Sequence, residues 1–105
     1  MDKYQNIMNT VKDVVLHFDP DAKIILYGSR ARGDYSPESD WDFLILLNCN
    51  FNEQLKTELR HRLYEIEWET GEVISSIIHK HTDWINPRNK ITPFYNDVTS
   101  EGISI

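Results

Sequence analysis

Cysteine is nearly missing from this 105-residue sequence, in which Cys49 stands alone. No internal disulfide can form, so packing must hold the fold together, and a reducing cytoplasm suits the chain. Long apolar runs are missing too: no stretch approaches the ~20 apolar residues that a membrane-spanning helix needs. The opening residues, Met1 to Asn6, lack the basic-then-apolar order of a secretory signal. Positive charge is scarce, with 11 Lys and Arg against 17 Asp and Glu and a formal net charge of −6. Such a field repels a polynucleotide, whose binding depends on neutralising phosphates with cations. A long nucleic acid is therefore excluded as a ligand, and a mononucleotide is the better guess. There is no repeat, no low-complexity tract and no linker. The length and the 40% apolar content predict a single domain over residues 1–105 with a modest core.

The elements follow from periodicity. Ile7, Met8, Val11, Val14, Val15 and Phe18 recur at helical spacing and predict an amphipathic helix over residues 2–18, ended by Asp19-Pro20-Asp21. Lys23 to Tyr27 is a short apolar run before Gly28 and reads as a buried strand. Ser29 to Arg32 predicts a short helix stopped by Gly33, and Asp34 to Ser39, with Ser36-Pro37, a loop. Trp41 to Leu47 is nearly continuous in apolar residues, as a central strand is. Asn50 with Glu53 fits a capping arrangement for a helix carrying Leu55, Leu59, Leu63 and Ile66 on one face and closed by Gly71. Glu72 to His79 reads as a third strand, and Trp84 to Lys90 as irregular around Asn86-Pro87. Thr92 caps a last short helix with Pro93 at its first position and Gly102 beyond its end. The order is α-β-α-β-α-β-α, a small sheet covered by helices.

The chemistry concentrates in residues 28–42. Gly28, directly after a strand, lets the backbone approach a ligand because it has no Cβ. Ser29 adds a hydroxyl donor at the start of the short helix, where free N–H groups favour a phosphate. Arg30 and Arg32 each either reach a phosphate oxygen or stand in solvent. Residues at i and i+2 of a strand share a face, so Asp40 and Asp42 project together, with Trp41 opposite. Two carboxylates this close repel each other and a divalent cation relieves them; Mg²⁺ is commonly held by one or two carboxylates plus substrate phosphates.

Gly28-Ser29, ten residues, then Asp40-x-Asp42 resembles the signature of the polymerase-β-like nucleotidyltransferase superfamily. The short chain resembles its minimal members, small prokaryotic proteins often paired with a helical HEPN partner. The resemblance implies the nucleotidyltransferase fold, of α/β (α+β) class: a small mixed β-sheet with flanking helices. It also implies two Mg²⁺ ions, a nucleoside triphosphate donor and transfer of a nucleoside monophosphate, AMP from ATP, to a hydroxyl. On it, Gly28 and Ser29 hold the β- and γ-phosphates, and Asp40 and Asp42 ligate both metals. The family's third acid lies on a later strand, at a position that here falls nearer Ser75 or Ser76, neither of which can replace a carboxylate. Glu72 is then either the third catalytic acid or a solvated residue at a helix–strand junction. In the second case nucleotide and metal binding survive while transfer is slow or absent.

Two functions follow. The leading one is a metal-dependent nucleotidyltransferase whose acceptor is a Tyr, Ser or Thr of a partner protein; a small-molecule acceptor is disfavoured, because so short a chain lacks an obvious second domain to cradle it. The alternative is a degenerate domain acting as an antitoxin-like binding module for a HEPN-type toxin. Remaining candidates read more plainly. His79 and His81 could chelate a metal but suit a strand end, and His17 and His61 face solvent from helices. Glu65, Glu67, Glu69 and Glu72 form a solvated acidic helix end open to a basic partner. Trp68, Trp84, Phe94 and Tyr95 serve the core or an exposed interface. Ser29 as a covalent nucleophile lacks a placed Asp–His pair.

Overall fold

The computed structural model describes residues 3–105. Asp2, included in the expected first helix, lies outside the described residues. Helix α1 (Lys3–Phe18) leads into β1 (Lys23–Tyr27), the single turn α2 (Ser29–Arg32) and β2 (Trp41–Leu47). Helix α3 (Glu53–Thr70) crosses over to β3 (Ile74–Lys80), followed by α4 (His81–Trp84), α5 (Pro87–Lys90), α6 (Pro93–Glu101) and the two-residue β4 (Ile103–Ser104). The sheet has the order β3-β2-β1-β4. β1 lies antiparallel to both β2 and β4, while β2 and β3, joined through α3, are parallel. This is the mixed sheet with flanking helices that the family resemblance implies.

Side chains alternate along each strand and so divide the core in two. Trp41, Phe43, Ile45 and Leu47 of β2 meet Ile7, Val11 and Val15 of α1 and Leu59, Leu63 and Ile66 of α3. Burying each such side chain contributes roughly 1.5–3 kcal/mol of transfer free energy. On the other face Leu44 and Leu46 pack with Trp84 and Val98, and with the half-buried Phe94 and Tyr95. Trp68 departs from the core reading: it is 75% exposed and meets the edge of Tyr64, itself 53% exposed.

Several boundaries differ from expectation for local reasons. The N-cap of α3 is Asn52, not Asn50, because Asn52 is extended and its Oδ1 accepts the Leu55 N–H at 2.9 Å. The third strand starts at Ile74 rather than Glu72. Gly71 turns the chain through a left-handed conformation at φ 74°, and Glu72 and Val73 carry it back to the sheet. Residues 84–90 are not irregular: α4 ends there, and Asn86 caps α5 with Pro87 at its first position. β4 is too short to leave a periodic signal.

Asp19 ties the α1–β1 turn to the far end of β2. Its buried carboxylate accepts the N–H groups of Asn48 at 2.7 Å, Cys49 at 3.0 Å and Asp21 at 3.0 Å. Burial pushes its pKa up, but the N–H groups of Cys49, Asn48 and Asp21 outweigh that and hold it below the ordinary 3.8. A carboxylate with a depressed folded pKa stabilises fully above its ordinary value, and that contribution is lost as pH falls through the lower folded value. Asp19→Asn is expected to lower stability at pH 7 by about 1–3 kcal/mol, the worth of hydrogen bonds to a charged group. Urea unfolding at pH 7 and below pH 4 checks this: the difference between variant and wild type should shrink in acid.

Candidate active site

The sheet register assembles one row of side chains. Tyr27 of β1 lies opposite Asp42 of β2, and Asp42 lies beside Ser75 of β3. The position next to Asp42 on the neighbouring strand therefore holds a serine. Beyond Tyr27 the chain enters Gly28 at φ 75°. A Cβ placed on Gly28 would collide with Asp42 Oδ2. The positive φ and the pressing carboxylate both restrict this position to glycine. The Gly28 carbonyl accepts the N–H groups of Ala31 and Arg32, each at 3.0 Å, which starts α2, and Gly33 closes it at φ 92°. Ser29 opens the turn and is half-buried.

Asp40 is exposed one residue before β2, and Asp42 is half-buried inside it. The Asp42 carboxyl is raised above the ordinary carboxylate range, chiefly by burial, then by the negative charge of Asp40; Arg32 opposes this and Glu101 adds to it. Asp40, Asp42, Arg32 and Glu101 thus share one electrostatic neighbourhood. Tyr27 is held protonated above its ordinary range by burial and by the Asp42 charge. Among the described residues no three His, Cys, Asp or Glu side chains gather as a metal-binding group. Two carboxylates together with phosphate oxygens are nevertheless the donor set Mg²⁺ takes, and the raised Asp42 pKa marks negative charge that a divalent cation would relieve. The residues present fit such an ion.

Arg30 and Glu72 are not part of this group. Arg30 is 7% exposed. Its guanidinium lies 4.6 Å from the Tyr35 ring centroid and 4.3 Å from that of Trp41, over both faces. Its Nη2 donates to the carbonyls of Ser39 at 3.1 Å and Pro37 at 3.4 Å and lies 3.6 Å from Glu72 Oε2. Trp41 Nε1 donates to the same Glu72 oxygen at 3.1 Å. Trp41 points away from Asp42, so the expected roles of Arg30 as a phosphate ligand and Glu72 as the third acid give way to a buried cluster beneath the loop. Arg32 is different. It is exposed on the Asp42 side and pairs with Glu101, its Nη1 donating at 3.2 Å to Oε1 and 3.1 Å to Oε2, and with Asp34 at 3.4 Å.

Glu101 is the site residue that sequence reasoning missed. Its Oε1 also accepts the Gly28 N–H at 3.1 Å. It lies 73 residues from Gly28, and no local pattern announces such a pair. Tyr27 is legible only once the strand register is known, and the register decides for Ser75 over Ser76 as the neighbour of Asp42.

Comparison with known proteins gives the family and the fold. Residues 8–104 match the family model described as "Nucleotidyltransferase domain". The chain is 34% identical over 85 residues to a Methanocaldococcus jannaschii protein named "Putative protein adenylyltransferase MJ0141", covering 79% of this chain and 77% of that one. Two solved structures share the fold. A toxin-antitoxin with AMP-PNP superposes with a TM-score of 0.62 at 18% identity, over 91% of this chain and 69% of its own. The toxin-antitoxin MntA-HpeT, mutated at one tyrosine, superposes at 0.61 and 17% identity, over 93% and 70%.

The buried cluster makes a specific demand. Glu72→Ala removes the carboxylate that compensates the Arg30 charge and should cost about 3–5 kcal/mol. Glu72→Gln should cost less, because its amide oxygen still accepts from Trp41 Nε1. Guanidinium unfolding of both variants tests this; equal stability of Glu72→Ala and wild type would contradict the assignment.

Proposed function

This chain belongs to the nucleotidyltransferase domain family, and on that premise we propose that it transfers AMP from ATP to a hydroxyl of a partner protein. The observation that carries the proposal is the close approach of Asp42 to Gly28. A phosphate held at the Gly28 turn stands beside the aspartate pair. Gly28 and Ser29 donate to phosphate oxygens, and Arg32 offsets their charge from the exposed side. Asp40 and Asp42 would hold Mg²⁺, which when bound neutralises the phosphates and polarises the phosphoryl group under attack. With the β- and γ-phosphates at the Gly28 turn, the α-phosphoryl would lie toward Asp40 and Asp42; as the acceptor oxygen bonds to phosphorus, the bond to pyrophosphate breaks and the hydroxyl proton passes to water. Tyr27, protonated and beside Asp42, forms one wall. The curated relative's name supports a protein acceptor. The neighbouring structures are described as toxin-antitoxins, one with AMP-PNP, which supports a nucleoside triphosphate as donor and a toxin as partner; that the toxin is of HEPN type rests on the family resemblance alone. No helix among the described residues is long and apolar enough to cross a membrane, and a lone, half-buried thiol suits the cytoplasm.

A second reading has its own observation. Ser75 stands beside Asp42, where the resemblance calls for a carboxylate, and Glu72 is committed elsewhere. A domain that binds nucleotide and partner but transfers slowly would act as an antitoxin-like module. Mg²⁺ and labelled ATP, with and without a HEPN-domain partner, separate the two. Label should appear on the partner, and Asp40→Ala with Asp42→Ala should reduce it at least 100-fold, the scale of losing preorganised charge stabilisation. Absence of label from the wild type, with partner capture retained by the double variant, would instead establish the binding module.

A further inference from the structure

Glu101 occupies the groups that would receive the triphosphate. Its Oε1 takes the Gly28 N–H at 3.1 Å, and Arg32 Nη1 reaches both of its oxygens at 3.2 and 3.1 Å. To such donors a carboxylate and a phosphate present the same thing, a pair of anionic oxygens. Glu101 is also not a loose surface side chain. It is 20% exposed and ends α6. Gly102 follows it, where an added Cβ would strike the Val98 carbonyl and Ile25 Cγ2, and Ile103 then pairs with Leu26 of β1. The backbone is thereby fixed on both sides of the residue. Asp42 presses on Gly28 as well. A phosphate seated at the Gly28 amide and Arg32 would therefore meet the Glu101 carboxylate at the donors it needs.

Resting on the nucleotide-site reading above, we propose that Glu101 is an internal competitor for the phosphate-binding groups, and that a nucleoside triphosphate binds by displacing its carboxylate from Gly28 and Arg32. Displacement is a side-chain rotation; the sheet and α6 need not move. The apparent affinity is then the intrinsic affinity reduced by the fraction of molecules with the carboxylate swung away. The effect belongs to ligands that carry phosphates and is absent for a bare nucleoside.

Titration calorimetry on wild type, Glu101→Gln and Glu101→Asp tests this with three probes: ATP with Mg²⁺, inorganic tripolyphosphate and adenosine. The glutamine keeps an acceptor for the Gly28 N–H but removes the negative charge that faces Arg32; the aspartate keeps that charge but is one methylene too short to span both. With an open fraction of about one tenth, both variants should bind ATP and tripolyphosphate about tenfold tighter, with adenosine unchanged. If Glu101→Gln fails to fold, as circular dichroism would show, Glu101→Asp carries the measurement. Equal affinities for wild type and variants overturn the proposal and leave the nucleotide site standing. Weaker binding by the variants also overturns it, and makes Glu101 a contributor to the bound state. Absence of ATP binding by all three proteins overturns the nucleotide reading and this proposal with it.

Discussion

A guanidinium buried beneath a loop organises this molecule. Taking a charge out of water costs several kcal/mol, recovered only where partners surround it closely. Arg30 finds them in the Glu72 carboxylate, the carbonyls of Pro37 and Ser39, and the rings of Tyr35 and Trp41. Those groups come from the loop after α2, the first residue of β2 and the approach to β3. One cation thus ties together the segments that decide where the aspartates stand. Because side chains alternate along a strand, Trp41 turned into this cluster sends Asp42 to the opposite face, against Gly28. The chemistry of one face is set by the packing of the other.

What could be read from the sequence was what short-range physics controls. The limits of β1, α2 and β2 and the place of Gly28 follow from apolar runs and from a glycine that must adopt positive φ. The pairing of Asp40 with Asp42 needed only spacing. Arg30 and Glu72 were misplaced because a charged residue near a motif looks functional until tertiary burial is known. The neighbour of Asp42 on β3 depends on a parallel register that no local pattern encodes, although the family resemblance points to Ser75 or Ser76. Glu101 was out of reach for the same reason in stronger form.

The site is notable for how little positive charge it commands. Asp40, Asp42 and Glu101 converge on it, and the Asp42 pKa is raised first by burial and then by the negative charges of Asp40 and Glu101. Arg32 answers them, yet it is half in water and already shared with Asp34 and Glu101, where ion pairs are worth little. On the proposed function, a bare triphosphate meets repulsion here. A divalent cation offsets that negative field, so recognition of the nucleotide and of the cation becomes one event.

The sequence distance between Gly28 and Glu101 has a consequence in time. During synthesis at about 5–20 residues per second, the 73 residues between them take roughly 4–15 s to emerge. The glycine turn and the aspartate pair leave the ribosome within 15 residues of one another, with their carboxylate cover still untranslated. Closing a contact of that span carries a loop entropy that the local β1–β2 pairing does not. The newborn chain exposes the donors first and receives their cover last.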